Sequence, residues 1–191
     1  MFHLGIRKKI TYGFYLLLIL MMGSAVLTYG IVKRVEDQVA FGEVVEDFFN
    51  TTLELRRFEK NYFLYRQEKD FQENQLYWKK IQDLFKNNAA DLRLAVSALE
   101  LEQLGRVIEA YNGNMAQLHA YSLNIAQGVD YPDGYRTQEK LEEQLRSTGK
   151  ELTEFGERTR EAVKNKVKAL LKTTQNILLV SMVGLFVSAL P

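Results

Sequence analysis

Residues Ile10 to Val32 form a run of 23 positions without a charged side chain. As a helix, at about 1.5 Å per residue, the run reaches roughly 34 Å, enough to cross a bilayer core of about 30 Å. Tyr12, Tyr15 and Tyr29 lie near its two ends, where aromatic belts form. A cleaved signal peptide is the alternative, because Arg7, Lys8 and Lys9 make a suitable basic leader. The run is long for a signal core, however, and Gly23-Ser24-Ala25 is a poor cleavage site, so a retained anchor over 10–32 is expected. A second apolar run, Ile177 to Leu190, lies at the other end. Counted from Thr173 it is uncharged up to Pro191, and it reads as a second transmembrane helix, 173–191, cut short inside the membrane. The basic cluster before the first run places residues 1–9 in the cytoplasm and 33–172 outside, in a two-pass arrangement with the lipid bilayer as partner. Lys164, Lys166, Lys168 and Lys172 stand against that orientation. The rule weakens for translocated stretches longer than about 60 residues, and this one has 140.

All 24 acidic residues fall between Glu36 and Glu161. Three of the 25 basic residues precede that region, so 33–172 holds 22 basic and 24 acidic residues, net −2. That balance offers nucleic acid no electrostatic footprint. The absence of cysteine excludes disulfides, thiol catalysis and cysteine-ligated metals.

Only two prolines occur, Pro132 and Pro191, so little interrupts helix before residue 132. Apolar residues at Phe41, Val44, Phe48, Thr51, Leu55, Phe58, Tyr62 and Tyr65 follow a 3-4 heptad seam, which predicts a first helix ending near Arg66. Asp70 with Glu73 predicts the N-cap of a second helix carrying Phe71, Leu76, Trp78, Ile81, Leu84, Phe85 and Leu92. Ser97 with Glu100 predicts a capping box that starts a third, whose stripe runs from Leu101 through Tyr111 and Tyr121 to Ile125. Residues 128–134 form the clear loop, with Pro132-Asp133-Gly134 as its turn. A fourth helix from about Arg136 carries Leu141, Leu145, Thr148, Leu152, Phe155, Thr159 and Ala162, then drifts to Val163, Val167 and Leu170. The expected fold is all-α: an up-down-up-down four-helix bundle over 33–172, whose first and last helices continue into the transmembrane helices. A long two-helix coiled coil is the rival, but the middle helices carry apolar stripes of their own.

The stretch Leu55-Arg56-Arg57-Phe58-Glu59-Lys60-Asn61-Tyr62 resembles the Leu-Arg-Arg-x-Glu-Lys-x-(Tyr/Phe) segment in the first helix of helical-bundle sensor domains, of four-helix-bundle and helical bimodular type. Ile108-Glu109-Ala110-Tyr111 is similar to a second recurring piece of those domains. They belong to bacterial sensor histidine kinases and methyl-accepting chemotaxis receptors. The resemblance implies a receptor of the bacterial inner membrane, a homodimer, and a histidine kinase output in the missing cytoplasmic part, with a chemotaxis receptor as the alternative. Bimodular members stack two bundles in about 250 residues; the 140 outer residues here make room for one.

On a helical wheel of about 100° per residue, Glu59 and Arg66 fall on the apolar side of the first helix and form an expected polar core, while Arg56 lies on its flank. A charge there must be paired or bind something. One reading is an internal pair, Arg56 with Glu59 at i,i+3. The other is a site for a small organic anion, since an arginine fork suits a carboxylate. Matching heights along the helices gives Arg56, Tyr62, Trp78, Tyr121 and Arg146 as its candidate lining, though each aromatic also suits a plain core. Seven of the ten tyrosines lie in the outer domain, Tyr62, Tyr65, Tyr77, Tyr111, Tyr121, Tyr131 and Tyr135, and their hydroxyls suit a polar pocket, although such tyrosines also occur in bundles without a ligand. A periplasmic partner protein is the alternative ligand, and a membrane-tethered interaction protein without any small ligand is the alternative function. Gly149 and Gly156, seven apart on the fourth helix, allow close approach of another helix or simply soften it.

His3 and His119 are the only histidines, and His119 reads as surface or core. No Glu-x-x-His pair, glycine-rich phosphate loop, zinc spacing or Ser-His triad occurs, so neither a metal, a cofactor nor a catalytic constellation is expected. The pairs Glu142-Glu143 and Glu151-Glu154 read as helix-surface charge.

Overall fold

The computed structural model describes residues 6–93, 96–129 and 133–189. Its elements are helices α1 (Ile6–Tyr65), α2 (Glu68–Asn87), α3 (Ala89–Leu92), α4 (Ala98–Ala126) and α5 (Gly134–Ala189), with no strand among the described residues. The chain divides into two compact units, one of Phe41–Val163 and one of the residues up to Ala40 together with those from Lys164 onward.

In the first unit the four long helices supply one core. Phe48, Leu55 and Tyr62 come from α1, Ile81 from α2, Leu104, Ile108, Tyr111, Met115 and Leu118 from α4, and Leu145, Leu152 and Phe155 from α5. The seam of α1 differs from the expected one in half of its positions. Phe41, Phe48, Leu55 and Tyr62 are buried as expected, but the alternate layer is Val45, Thr52 and Glu59 rather than Val44, Thr51 and Phe58. A two-stranded coiled coil needs only a narrow a/d seam. A helix facing several partners buries a wider stripe that takes in the e positions. Phe58 moves to a flank, where it stacks on Tyr77 of α2 with ring centroids 5.5 Å apart. Thr52 stays satisfied in the core by donating to the Phe48 carbonyl at 2.8 Å. Tyr65, the last expected seam residue, is 63% exposed.

Helix α1 ends where Arg66 takes a positive φ of 51°, which breaks the helical course in one residue. The N-cap of α2 is then Gln67, not Asp70, and it makes no side-chain cap bond. Asp70 instead lies in the first turn of α2, buried, with its Oδ2 lacking a partner among the described residues. The Ser97 capping box forms as expected: Ser97 accepts from the Glu100 amide and Glu100 accepts from the Ser97 amide at 2.9 Å. Those bonds from Ser97 hold the Glu100 carboxyl below its usual range. Helix α5 begins at Gly134, so that residue belongs to the helix rather than to the turn; Tyr131 and Pro132 lie outside the described residues, as does His3. The buried line of α5 runs Leu145, Leu152, Phe155, Thr159 and Val163, with Ala162 facing out.

In the second unit, Ile10, Tyr12, Phe14, Tyr15, Ile19, Val26 and Tyr29 of α1 are all exposed. Among the described residues α1 is the one helix long and apolar enough to cross a membrane. Ile177, Leu179, Val180 and Met182 of α5 are likewise exposed apolar side chains, and the expected second span runs on past the described residues.

Candidate functional site: two polar clusters in the helical unit

On α1, Glu59 sits in the core with no exposed surface. One carboxylate oxygen pairs with Arg56, one turn back on α1. The other accepts a 3.0 Å hydrogen bond from the Tyr111 hydroxyl on α4. That hydroxyl accepts in turn from Asn74 Nδ2 of α2 at 2.8 Å, and the same nitrogen donates to the Leu55 carbonyl at 3.0 Å. Helix α5 approaches at Gly149. A Cβ there would stand 2.7 Å from Arg56 Cδ and 2.9 Å from Glu59 Oε2, so the ion pair occupies the space that a side chain at 149 would need. All four long helices thus meet at one polar level. Asn74 Oδ1, buried, has no partner among the described residues.

Burial pushes the Glu59 carboxyl above its ordinary pKa, with Arg56 working in the opposite direction and Arg146 adding a smaller pull the same way. Burial, with the charge of Glu59 behind it, pushes the Tyr111 phenol well up. Tyr111 therefore remains a donor to Glu59 throughout the physiological range.

The second cluster joins the end of α1 to the start of α2. The Tyr62 hydroxyl meets His119 Nδ1 at 3.0 Å, and His119 Nε2 lies 3.3 Å from Glu68 Oε2. Phe71 stacks on the imidazole with centroids 3.7 Å apart and planes 5° from parallel. Burial raises the Tyr62 phenol pKa, opposed by a hydrogen bond with Ser122. Arg66 lies over the Tyr62 ring, 5.5 Å from its centroid, and pairs with Glu142 of α5. Glu142 also pairs with Arg146 at 3.1 Å and accepts from Gln138 at 2.9 Å.

The five candidate lining residues are each held by a partner outside their own set. Arg56 pairs with Glu59, Tyr62 with His119, and Arg146 with Glu142. Trp78 donates its indole N–H to the Ile108 carbonyl at 3.0 Å, and Tyr121 donates to the Gly134 carbonyl. Two shallow grooves on the unit, one lined by Glu100, Leu104, Glu151 and Phe155, the other by Asp47, Thr51, Lys80 and Asp83, include none of the five. Of the expected polar core, Glu59 is fully buried. Arg66 is partly so, with its Nη1 enclosed and without a partner among the described residues.

Asn74, Glu142 and His119 are the participants that sequence reasoning missed. Glu142 reads as surface charge beside Glu143, yet its side chain is only 15% exposed because two arginines converge on it. Gly149 carried a signal, its spacing from Gly156, and both glycines do receive α1: Phe49 Cδ2 would stand 3.0 Å from a Cβ at 156. No group of three or more His, Cys, Asp or Glu poised to hold a metal ion occurs among the described residues. Comparison with protein-family models, with curated proteins and with solved structures finds no match for this chain.

Proposed function

We propose that this chain is the membrane-anchored input region of a bacterial signalling receptor. In this reading residues 33–172 form an extracytoplasmic up-down-up-down bundle, held by two transmembrane helices at 10–32 and 173–191. The observation that supports it is the double use of α1 and α5. Each lends a polar-cored packing surface to the helical unit and an exposed apolar segment to the other unit. A signal that shifts α1 against α5 in the outer unit then reaches the membrane along unbroken helix.

The α1–α5 seam suits such a shift. Within the helical unit it is built on glycines: Gly149 under Arg56 and Glu59, Gly156 under Phe49, and Gly42 with Val163 Cγ1 3.5 Å from where its Cβ would be. A ligand moves the equilibrium only by binding the two arrangements unequally. A small organic anion would do so by taking Arg56 or Arg66 from its carboxylate partner, Glu59 or Glu142. The resemblance at 55–62 favours a homodimer with a histidine kinase output, and a chemotaxis receptor as the alternative.

A tethered interaction protein without a small ligand is the second reading, favoured by the internal partners that every candidate lining residue already has. Melting of the full chain in lipid nanodiscs against a panel of carboxylates separates the two. A bound anion at 100 times its dissociation constant adds about 2.7 kcal/mol of stability, and Arg56→Ala removes that gain while leaving a folded protein. No shift with any member of the panel contradicts the anion reading and leaves the interaction reading.

A further inference from the structure

The junction between α1 and α2 is held in an unusual way. The N-terminus of α2 has no side-chain cap, because Gln67 makes no such bond. Its first two turns are fastened through His119 instead, by Glu68 on one ring nitrogen and by Phe71 on the ring face. The third contact of the imidazole is Tyr62 of α1. One titratable ring on α4 therefore ties two helix ends together.

We propose that His119 is a protonation-controlled latch that sets how tightly the start of α2 is held. With the proton on Nε2, the neutral ring donates to Glu68 and accepts from the Tyr62 hydroxyl at Nδ1. Taking a second proton from solvent, which the 15% exposure of the side chain permits, makes both nitrogens donors. The Tyr62 hydroxyl must then turn its own proton away, and Ser122 stands within its hydrogen-bonding reach. The contact to Glu68 becomes an ion pair, and the stacked Phe71 ring faces a cation. Both changes strengthen the hold on α2.

The other charges around the ring are accounted for from each packed helix. Arg66, just past the end of α1, lies across Tyr62 and is paired with Glu142 of α5, so its repulsion of an imidazolium is offset locally. Glu68 of α2 faces the ring directly and Ser122 of α4 is uncharged. The latch does not depend on the receptor reading; it would operate in a tethered interaction protein equally.

Hydrogen exchange of the full chain in nanodiscs tests it, compared at about pH 8 and about pH 5.5 after correction for intrinsic exchange, on either side of the range where imidazoles charge. Protection of the amides from Glu68 to Asn74 should rise about threefold on acidification, the size of one partly exposed ion pair with a cation–π contact. Glu68→Gln, an exposed and conservative change, should remove most of that rise, and His119→Gln should remove all of it. Unchanged protection in the wild type, or an undiminished rise in Glu68→Gln, overturns the latch. If His119→Gln fails to fold, the Glu68→Gln result decides together with the ring resonances of His119. These must titrate in step with the protection, and a mismatch between the two curves also overturns it.

Discussion

The two polar clusters of the helical unit use the same kinds of residue to different ends. At the Glu59 level an acid, an arginine, a tyrosine and an amide interlock in a site where the carboxylate has no exposed surface. At the Tyr62 level part of the charge keeps contact with water: the side chains of Glu68 and Arg146 are more than half exposed, while Arg66 and Glu142 are partly buried. A buried polar group costs the full desolvation penalty when it loses a partner, whereas a wetted one falls back on solvent. Without a bound ligand the inner cluster should therefore act as a fixed point that specifies how the four helices meet, and the outer cluster as an adjustable one. Of the seam glycines, only Gly149 meets a polar cluster, the inner one.

Substitutions that fill or unpair the inner cluster should dwarf those at the outer one. Gly149→Leu forces a side chain into the volume held by Arg56 and Glu59, and should lower unfolding free energy by about 3 kcal/mol in urea titration. Tyr111→Phe leaves Glu59 Oε2 and Asn74 Nδ2 each short of a partner and should cost about 2 kcal/mol by the same measurement. Glu142→Ala frees Arg146, which can rehydrate, and Arg66, which can do so only in part, and should cost about 1 kcal/mol, more at low salt than at high. If Glu142→Ala proves costlier than Tyr111→Phe, the contrast between the clusters is wrong.

The smallest expected effect is a slope. The folded-state pKa of Glu59 is raised by burial, so the group contributes stability that is fully present below the ordinary glutamate pKa and lost as pH rises through the raised value. Urea midpoints followed upward from pH 4 should carry that component in the wild type, and Glu59→Gln should remove it.

What was legible in the sequence was local. The Ser97–Glu100 box acts across three residues, and it forms. The α4 stripe is buried from Leu101 to Tyr121, because a helix with one apolar face has one way to pack, while its last expected member, Ile125, is exposed. Glu59 was recognisable as an inward charge from wheel position alone. The partners were not recognisable. Asn74 reaches Leu55 across 19 residues and Tyr111 across 37, and Arg66 reaches Glu142 across 76. Such pairs depend on how far one helix slides along another, which no local pattern encodes. The same limit explains Asp70, whose spacing to Glu73 imitates a cap while the chain turns three residues earlier at Gln67. It also explains the alternate layer of α1, where hydrophobicity favoured Phe58 and the wider packing face took Glu59.

The most direct test is a double-mutant cycle on Arg56 and Glu59, using Arg56→Met, Glu59→Gln and the pair, with stability read from urea unfolding of the full chain. An ion pair that anchors the inner cluster predicts a coupling of about 1–3 kcal/mol, with the double variant more stable than the sum of the single losses implies. Additive losses, with a coupling below about 0.3 kcal/mol, would contradict the account, because Arg56 would then be held by something other than Glu59.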